Sequence, residues 1–211
     1  MSAILCYGDS NTHGTLPMRV AGLSERLPKR DRWPEVAALA LGPAHDVIAE
    51  GLPGRTTVHD DPVEGGCRNG LAVLPAILHS HKPLDLVVLM LGTNDLKPRF
   101  SVGAWDIARS VERLVICVRA EQVARDTLVV CPAPVRETGT LSEVFAGAEA
   151  RQSGLEPHMR AMAARLGCAY VSAGDHLTVS PRDGVHWDAD AHGRFGAAMA
   201  RAIAQTLERQ A

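Results

Sequence analysis

A hydroxyl, an imidazole and a carboxylate make a nucleophile when they line up, and the chain offers one candidate for each. The segment Gly8-Asp9-Ser10-Asn11-Thr12-His13-Gly14 follows a short apolar run. It reads as a tight loop that places the Ser10 hydroxyl at the carboxyl end of a strand, near a helix N-terminus. Two plainer meanings fit the same residues: Ser10 as a helix cap, or the loop amides as a phosphate cradle. A phosphate loop normally brings a lysine, and none stands between Gly8 and Pro17. A Gly-x-Ser-x-Gly elbow is also absent.

Near the other end stands Asp183-Gly184-Val185-His186-Trp187. A carboxylate three residues before an imidazole can accept the Nδ1 proton, which leaves Nε2 free to take a proton from Ser10. Taken alone, Asp-x-x-His is as readily a surface loop with local hydrogen bonds. A zinc site is the poorer reading, because no second His or Cys lies at ligand spacing beside His186.

Attack on a carbonyl also needs donors aimed at the developing oxyanion. Gly54, in Gly51-Leu52-Pro53-Gly54-Arg55, can present its amide with no side chain in the way. A turn glycine after Pro53 is the commoner meaning of such a pair. Asn94, in Gly92-Thr93-Asn94-Asp95, can point its amide inward from a sheet edge or can serve as a turn residue.

The elements that would have to position these groups follow from the apolar pattern. Short aliphatic runs at Ile4–Tyr7, Asp46–Glu50, Leu84–Leu91, Thr127–Cys131 and Ala169–Ala173 alternate with helical stretches, the signature of a parallel sheet with crossover helices. The third run is almost wholly aliphatic and predicts a central strand covered on both faces. Trp33–Leu41, with Pro34 in its first turn, predicts a helix ended near Gly42-Pro43. Ala104–Val123 carries a stripe at Ala104, Ala108, Val111, Val115 and Val118, and Phe195, Met199, Ile203 and Leu207 repeat behind Asp188, a candidate cap. Asn69–His81 is helical in pattern but contains Pro75, so it is either kinked or begins near that proline. The irregular stretch Pro132–Ser142 follows the fourth strand and is placed to form a pocket wall. Ser10, Gly54 and Asn94 then follow the first, second and third strands in turn, with Asp183 and His186 beyond the fifth. Ligands of such sheets gather at that carboxyl edge.

Gly8-Asp9-Ser10, Gly51…Gly54, Gly92-Thr93-Asn94-Asp95 and Asp183-Gly184-Val185-His186 resemble, in order and across the whole chain, the four sequence blocks of SGNH (GDSL-type) hydrolases. Glu50-Gly51-Leu52, Arg55-Thr56-Thr57, Asp60-Asp61 and Cys67-Arg68-Asn69-Gly70 are similar to the bacterial arylesterase/acyltransferase branch. The resemblance implies an α/β, flavodoxin-like three-layer fold with a five-stranded parallel sheet. It implies Ser10 as nucleophile, His186 as base, Asp183 as its orienter, and an oxyanion hole of the Ser10 and Gly54 amides plus the Asn94 side chain. It also implies homo-oligomers whose neighbouring subunits narrow the pocket entrance.

One departure stands out: Asn11 follows the serine where the family commonly has Leu, and His13 precedes Gly14 where it commonly has Trp. Asn11, His13, Leu52 and Val185 are the expected substrate contacts, with Trp33 and Phe145 as further candidates; for Trp33, Leu52, Phe145 and Val185 simple packing is the commoner meaning. Arg55 either binds an anionic substrate group or, more commonly for such an arginine, pairs with Asp60 or Asp61.

The whole chain narrows the partners. With 211 residues and 46% hydrophobic content, one domain over 1–211 is expected. A formal charge of -2, from 22 basic and 24 acidic residues spread along the chain, gives no footprint for nucleic acid or an anionic membrane. The first residues run straight into a strand, without the basic head and apolar stretch of a secretory signal, and no apolar run is long enough to span a bilayer. Five widely spaced cysteines fit reduced thiols better than a disulfide framework. The expectation is a cytoplasmic serine esterase acting on a short-chain or aryl ester, with no metal or organic cofactor and with acyl transfer as a related activity. Its rivals are a carbohydrate O-deacetylase with the same machinery and, from another class, a nucleotide- or phosphate-binding flavodoxin-like module.

Overall fold

Alternation along the strands decides the architecture. In the computed structural model, which describes residues 1–209, five strands run parallel in the order β2-β1-β3-β4-β5. They are β1 (Ser2–Gly8), β2 (His45–Gly51), β3 (Leu84–Met90), β4 (Ala124–Cys131) and β5 (Ala169–Ser172). Gln210 and Ala211, the end of the domain expected over 1–211, lie outside the described residues.

Along β1, Leu5 and Tyr7 face one core while Ile4 and Cys6 face the other; along β3, Val87 and Leu89 oppose Leu86, Val88 and Met90. Both faces are therefore buried, as the near-continuous aliphatic sequence of β3 predicts. On the first face lie α3 (Gly70–His81), α4 (Ala104–Glu121) and α6 (Leu155–Arg165), contributing Leu74, Leu78, Val111, Val115 and Met159. On the second lie α2 (Trp33–Leu41) and α7 (Ala189–Glu208), whose Trp33, Phe195, Met199 and Ile203 close the other core. Two one-turn helices, α1 (Ser10–His13) and α5 (Ala148–Arg151), complete the set. The result is the flavodoxin-like three-layer α/β fold.

Register levels the carboxyl ends of the strands. Gly8 pairs with Gly51 on one side and with Met90 on the other, so the loops after β1, β2 and β3 leave the sheet at one height. This is what brings residues 10, 54 and 94 to a common edge.

Two local expectations are corrected. A start near Pro75 is excluded: α3 runs from Gly70 with the proline inside it, and the Asn69 side chain accepts from the Ala72 amide. The proline removes the donor that the Leu71 carbonyl would have used. Leu74 and Leu78, fully buried on the sheet-facing side, outweigh that loss at roughly 2 kcal/mol each. Asp188 occupies the N-cap position of α7, but its side chain makes no capping bond; its carbonyl accepts from the Ala191 and His192 amides instead. Among the described residues, no helix is long and apolar enough to cross a membrane, and all five cysteines are free.

Candidate active site

The first strand delivers Ser10 into a one-turn helix. Asp9 caps it, with Oδ1 accepting from the Asn11 amide at 2.9 Å, and Gly14 ends it in the left-handed region, donating to the Ser10 carbonyl. Ser10, 5% exposed, is thus held by backbone at the sheet edge.

The His186 ring reaches it from the opposite end of the chain: His186 Nε2 lies 3.0 Å from Ser10 Oγ, and Nδ1 lies 2.6 Å from Asp183 Oδ2. With a carboxylate at Nδ1, the tautomer assigned to the ring carries its proton there and presents a bare Nε2 to the serine. Asp183 is wholly buried and fixed by four bonds. Oδ1 accepts from the Val185 and His186 amides, and Oδ2 accepts from the Met18 amide as well as the ring. Burial alone would raise its pKa, but the bonds from His186 and Met18 hold it below the ordinary carboxylate value, so it stays ionised beside the imidazole.

The loop that carries both groups is strapped down. The Gly184 carbonyl accepts from the Arg136 amide at 2.8 Å, and its amide donates to Ser180 at 2.8 Å. At φ +77°, and with any Cβ placed 2.0 Å from the Arg136 carbonyl oxygen, residue 184 has to be glycine. Beneath the loop, Trp187 packs edge-on against Phe195, with ring centroids 5.0 Å apart.

The expected oxyanion donors converge on the same cavity, of about 410 Å³, with Ser10, Gly54, Asn94 and His186 all in its wall. Asn94 donates one amide hydrogen to the Arg55 carbonyl at 3.1 Å, which fixes the side chain and leaves its second hydrogen for a ligand. The Ser10 and Gly54 amides donate to no protein acceptor among the described residues. Asp95, next in the chain, is buried and accepts from both the Thr57 amide and hydroxyl, tying the loop after β3 to the loop after β2.

Not every expected contact is there. Val185 and Phe145 line the cavity; Asn11, His13, Leu52 and Trp33 do not. Asn11 turns away and donates to the Val185 carbonyl at 3.3 Å, joining α1 to the histidine loop. The His13 ring sits 3.0 Å from the Thr15 hydroxyl, and burial, with Arg26 and Arg32 nearby, pushes its pKa down to about 4. Trp33 belongs to the far core, stacked edge-on with Phe195. Arg55 neither pairs with Asp60 or Asp61 nor reaches the cavity. Its guanidinium lies 4.1 Å over the Tyr7 ring and donates to the Gly8 and Glu50 carbonyls, bracing the ends of β1 and β2.

Sequence reasoning also missed much of the wall. Met18, Leu141 and Val144 form an apolar side, while Glu64, Arg68 and Lys97 form a charged one. Two of these carried a usable signal: Arg68, within the block Cys67-Arg68-Asn69-Gly70, and Lys97, three residues after Asn94. Among the described residues, no group of three or more His, Cys, Asp or Glu side chains is set to hold a metal ion.

With this geometry in place, comparison with known proteins is informative. The family described as GDSL-like lipase/acylhydrolase matches residues 6–202. The chain is similar to the native aryl esterase of M. smegmatis, at 34% identity and a TM-score of 0.91, covering 97% of this chain and 99% of that one. It is similar to Est24, a carbohydrate acetylesterase from Sinorhizobium meliloti, at 34% identity and a TM-score of 0.92, covering 98% and 100%. A carbohydrate acetylesterase family member from the same organism is 39% identical, with a TM-score of 0.91 and coverage of 99% and 100%. No curated protein sequence matches the chain.

Proposed function

The chain belongs to the GDSL-like lipase/acylhydrolase family, within the SGNH hydrolase class, and from that premise we propose that it is a serine esterase cleaving short-chain or aryl carboxylic esters through an acyl-enzyme. The observation that carries this reading is the continuous line Asp183 Oδ2, His186 and Ser10 Oγ, with contacts of 2.6 and 3.0 Å, opening into a cavity with free amide donors.

The chemistry follows from the geometry. Ser10 Oγ attacks the ester carbonyl as Nε2 takes its proton, and Asp183 stabilises the imidazolium that forms. The carbonyl oxygen, now negative, is met by the Ser10 and Gly54 amides and the Asn94 side chain. Collapse breaks the ester C–O bond, and the alcohol leaves with the proton from His186. Water then attacks the acyl-Ser10 by the same proton relay and releases the acid. An alcohol entering in place of water yields a new ester, which is the acyltransferase activity included in this proposal.

A cavity of about 410 Å³ falls in the range of about 300–1,000 Å³ that small-molecule sites occupy. Its apolar side, Met18, Leu141, Val144 and Phe145, supports an aryl or short aliphatic group. A second reading, deacetylation of sugars, is favoured by the charged side and by the naming of two similar structures as carbohydrate acetylesterases. Rates on phenyl acetate and on an acetylated monosaccharide decide between them: the aryl ester should be cleaved with the higher kcat/KM, and the reverse order would favour the sugar.

The same proposal takes the chain as one domain, working without metal or organic cofactor, in the cytoplasm and as a homo-oligomer. Five free thiols support a reducing compartment. Exposed Val20, Leu23 and Val63, near the cavity residues Ala21, Gly22 and Glu64, supply apolar surface for a neighbouring subunit. A module that only binds nucleotide has no use for the proton relay or for the amide donors around Ser10.

A further inference from the structure

We infer that Arg68 makes this site selective for esters that carry a carboxylate close to the scissile bond, an inference that rests on the esterase reading and narrows its substrate class. Arg68 stands in the wall of the same cavity as Ser10, Gly54, Asn94 and His186. It lies against the oxyanion loop: its Nε and Cδ are 3.0 and 3.2 Å from the point where a Cβ on Gly54 would stand. That Nε is buried and has no hydrogen-bond partner among the described residues. No carboxylate among the described residues pairs with any nitrogen of this guanidinium either.

The carboxylates nearest this wall are bound to other cations. Glu64 and Asp61, the acidic groups near this wall, are both engaged by Lys97 and Arg99: Arg99 Nη2 is 2.7 Å from Asp61 and 3.0 Å from Glu64, and Lys97, 2% exposed, contacts both. Arg55 is committed to main-chain carbonyls. Glu64 Oε2 also comes within 2.7 Å of that Cβ point on Gly54, but Glu64 is held by Lys97 and Arg99 through Oε1 and makes no ion pair with Arg68, whose guanidinium stands in the cavity wall without a carboxylate partner among the described residues.

A buried N–H without an acceptor is a standing cost to the fold. A guanidinium's natural acceptor is a carboxylate, which it grips through two parallel hydrogen bonds. A plain aryl acetate offers this guanidinium no acceptor; an ester with a carboxylate a few bonds from its carbonyl offers one to the part of the side chain that lines the cavity. The anion-binding role that the sequence suggested for Arg55 therefore falls to Arg68.

The test compares matched pairs of esters in the full-length protein. In 4-acetoxybenzoate against phenyl acetate, the carboxylate is on the leaving group; in monophenyl glutarate against phenyl valerate, it is on the acyl group. For at least one pair, Arg68→Gln should lower the ratio of anionic to neutral kcat/KM at least tenfold, chiefly through KM, and Arg68→Lys should restore part of it. Ratios that stay within twofold for both pairs, because the anionic and neutral esters lose equally or not at all, would overturn the inference. An arm that needs no variant uses the unmodified enzyme: benzoate should compete with phenyl acetate more strongly than benzamide, and equal inhibition would also overturn it. If the unmodified protein cleaves none of the four esters, it is the esterase reading that fails; if it cleaves the neutral pair while the ratios hold, only the role of Arg68 falls.

Discussion

Replacing Asp9 by Asn should change how stability depends on pH, with little else disturbed at that position. Asp9 is 1% exposed; its Oδ1 caps α1, the Thr93 hydroxyl bonds the carboxylate, and no cation among the described residues pairs with it. Burial dominates its titration and raises the pKa from 3.8 to about 6, against the partial opposition of the Asn11 amide, His186, the Thr93 hydroxyl and Arg55. The native state therefore holds the proton more tightly than the unfolded chain. Below about pH 4 both states are protonated and the group is neutral in its effect; between the two pKa values the penalty grows; above about pH 6 it is complete. A shift from 3.8 to about 6 corresponds to about 3 kcal/mol. Asparagine keeps the capping oxygen and carries no charge, so any fixed cost of its NH2 group is the same at every pH. Urea unfolding of parent and Asp9→Asn at a series of pH values from 3 to 7.5 should show their stability difference moving by about 3 kcal/mol in favour of the variant. A difference that stays constant across that range would refute burial of this carboxylate as the cause.

Two further outcomes concern turnover. Asp183→Asn puts an amide donor or a weaker acceptor against His186 Nδ1 and unsettles the tautomer, so kcat on phenyl acetate should fall by on the order of 10⁴, as in a serine protease of trypsin type; comparable turnover would remove Asp183 from the relay. Asn94→Ala removes one oxyanion donor and should cost roughly 3 kcal/mol of transition-state stabilisation, read as a fall in kcat of about two orders of magnitude. An unchanged kcat would mean that the developing charge sits elsewhere.

The sequence was most legible where one force dominates. The β3 run is aliphatic because both faces are covered, and Asp183 and His186 sit three apart in a loop whose geometry their own backbone amides enforce. Proline at position 75 was harder, because its local penalty is visible in sequence while the burial of Leu74 and Leu78 that offsets it depends on the sheet. Side-chain direction was harder still. Asn11 and His13 adjoin the nucleophile in sequence, yet a single helical turn swings both away from the cavity. The wall formed by Met18, Arg68, Lys97 and Leu141 comes from four separate connections, and no periodicity marks such residues. Arg55 and Arg68 show the same limit: both follow β2 in the stretch before α3, but packing against Tyr7 fixes one as a brace and leaves the other facing the site.

The most direct test of the central claim is covalent labelling with a fluorophosphonate, followed by intact mass and peptide mapping. The account predicts one phosphonyl adduct per chain, on Ser10, with esterase activity lost in proportion to labelling and both absent from Ser10→Ala. Activity that survives in Ser10→Ala, or an adduct on another residue that accounts for the inactivation, would contradict it.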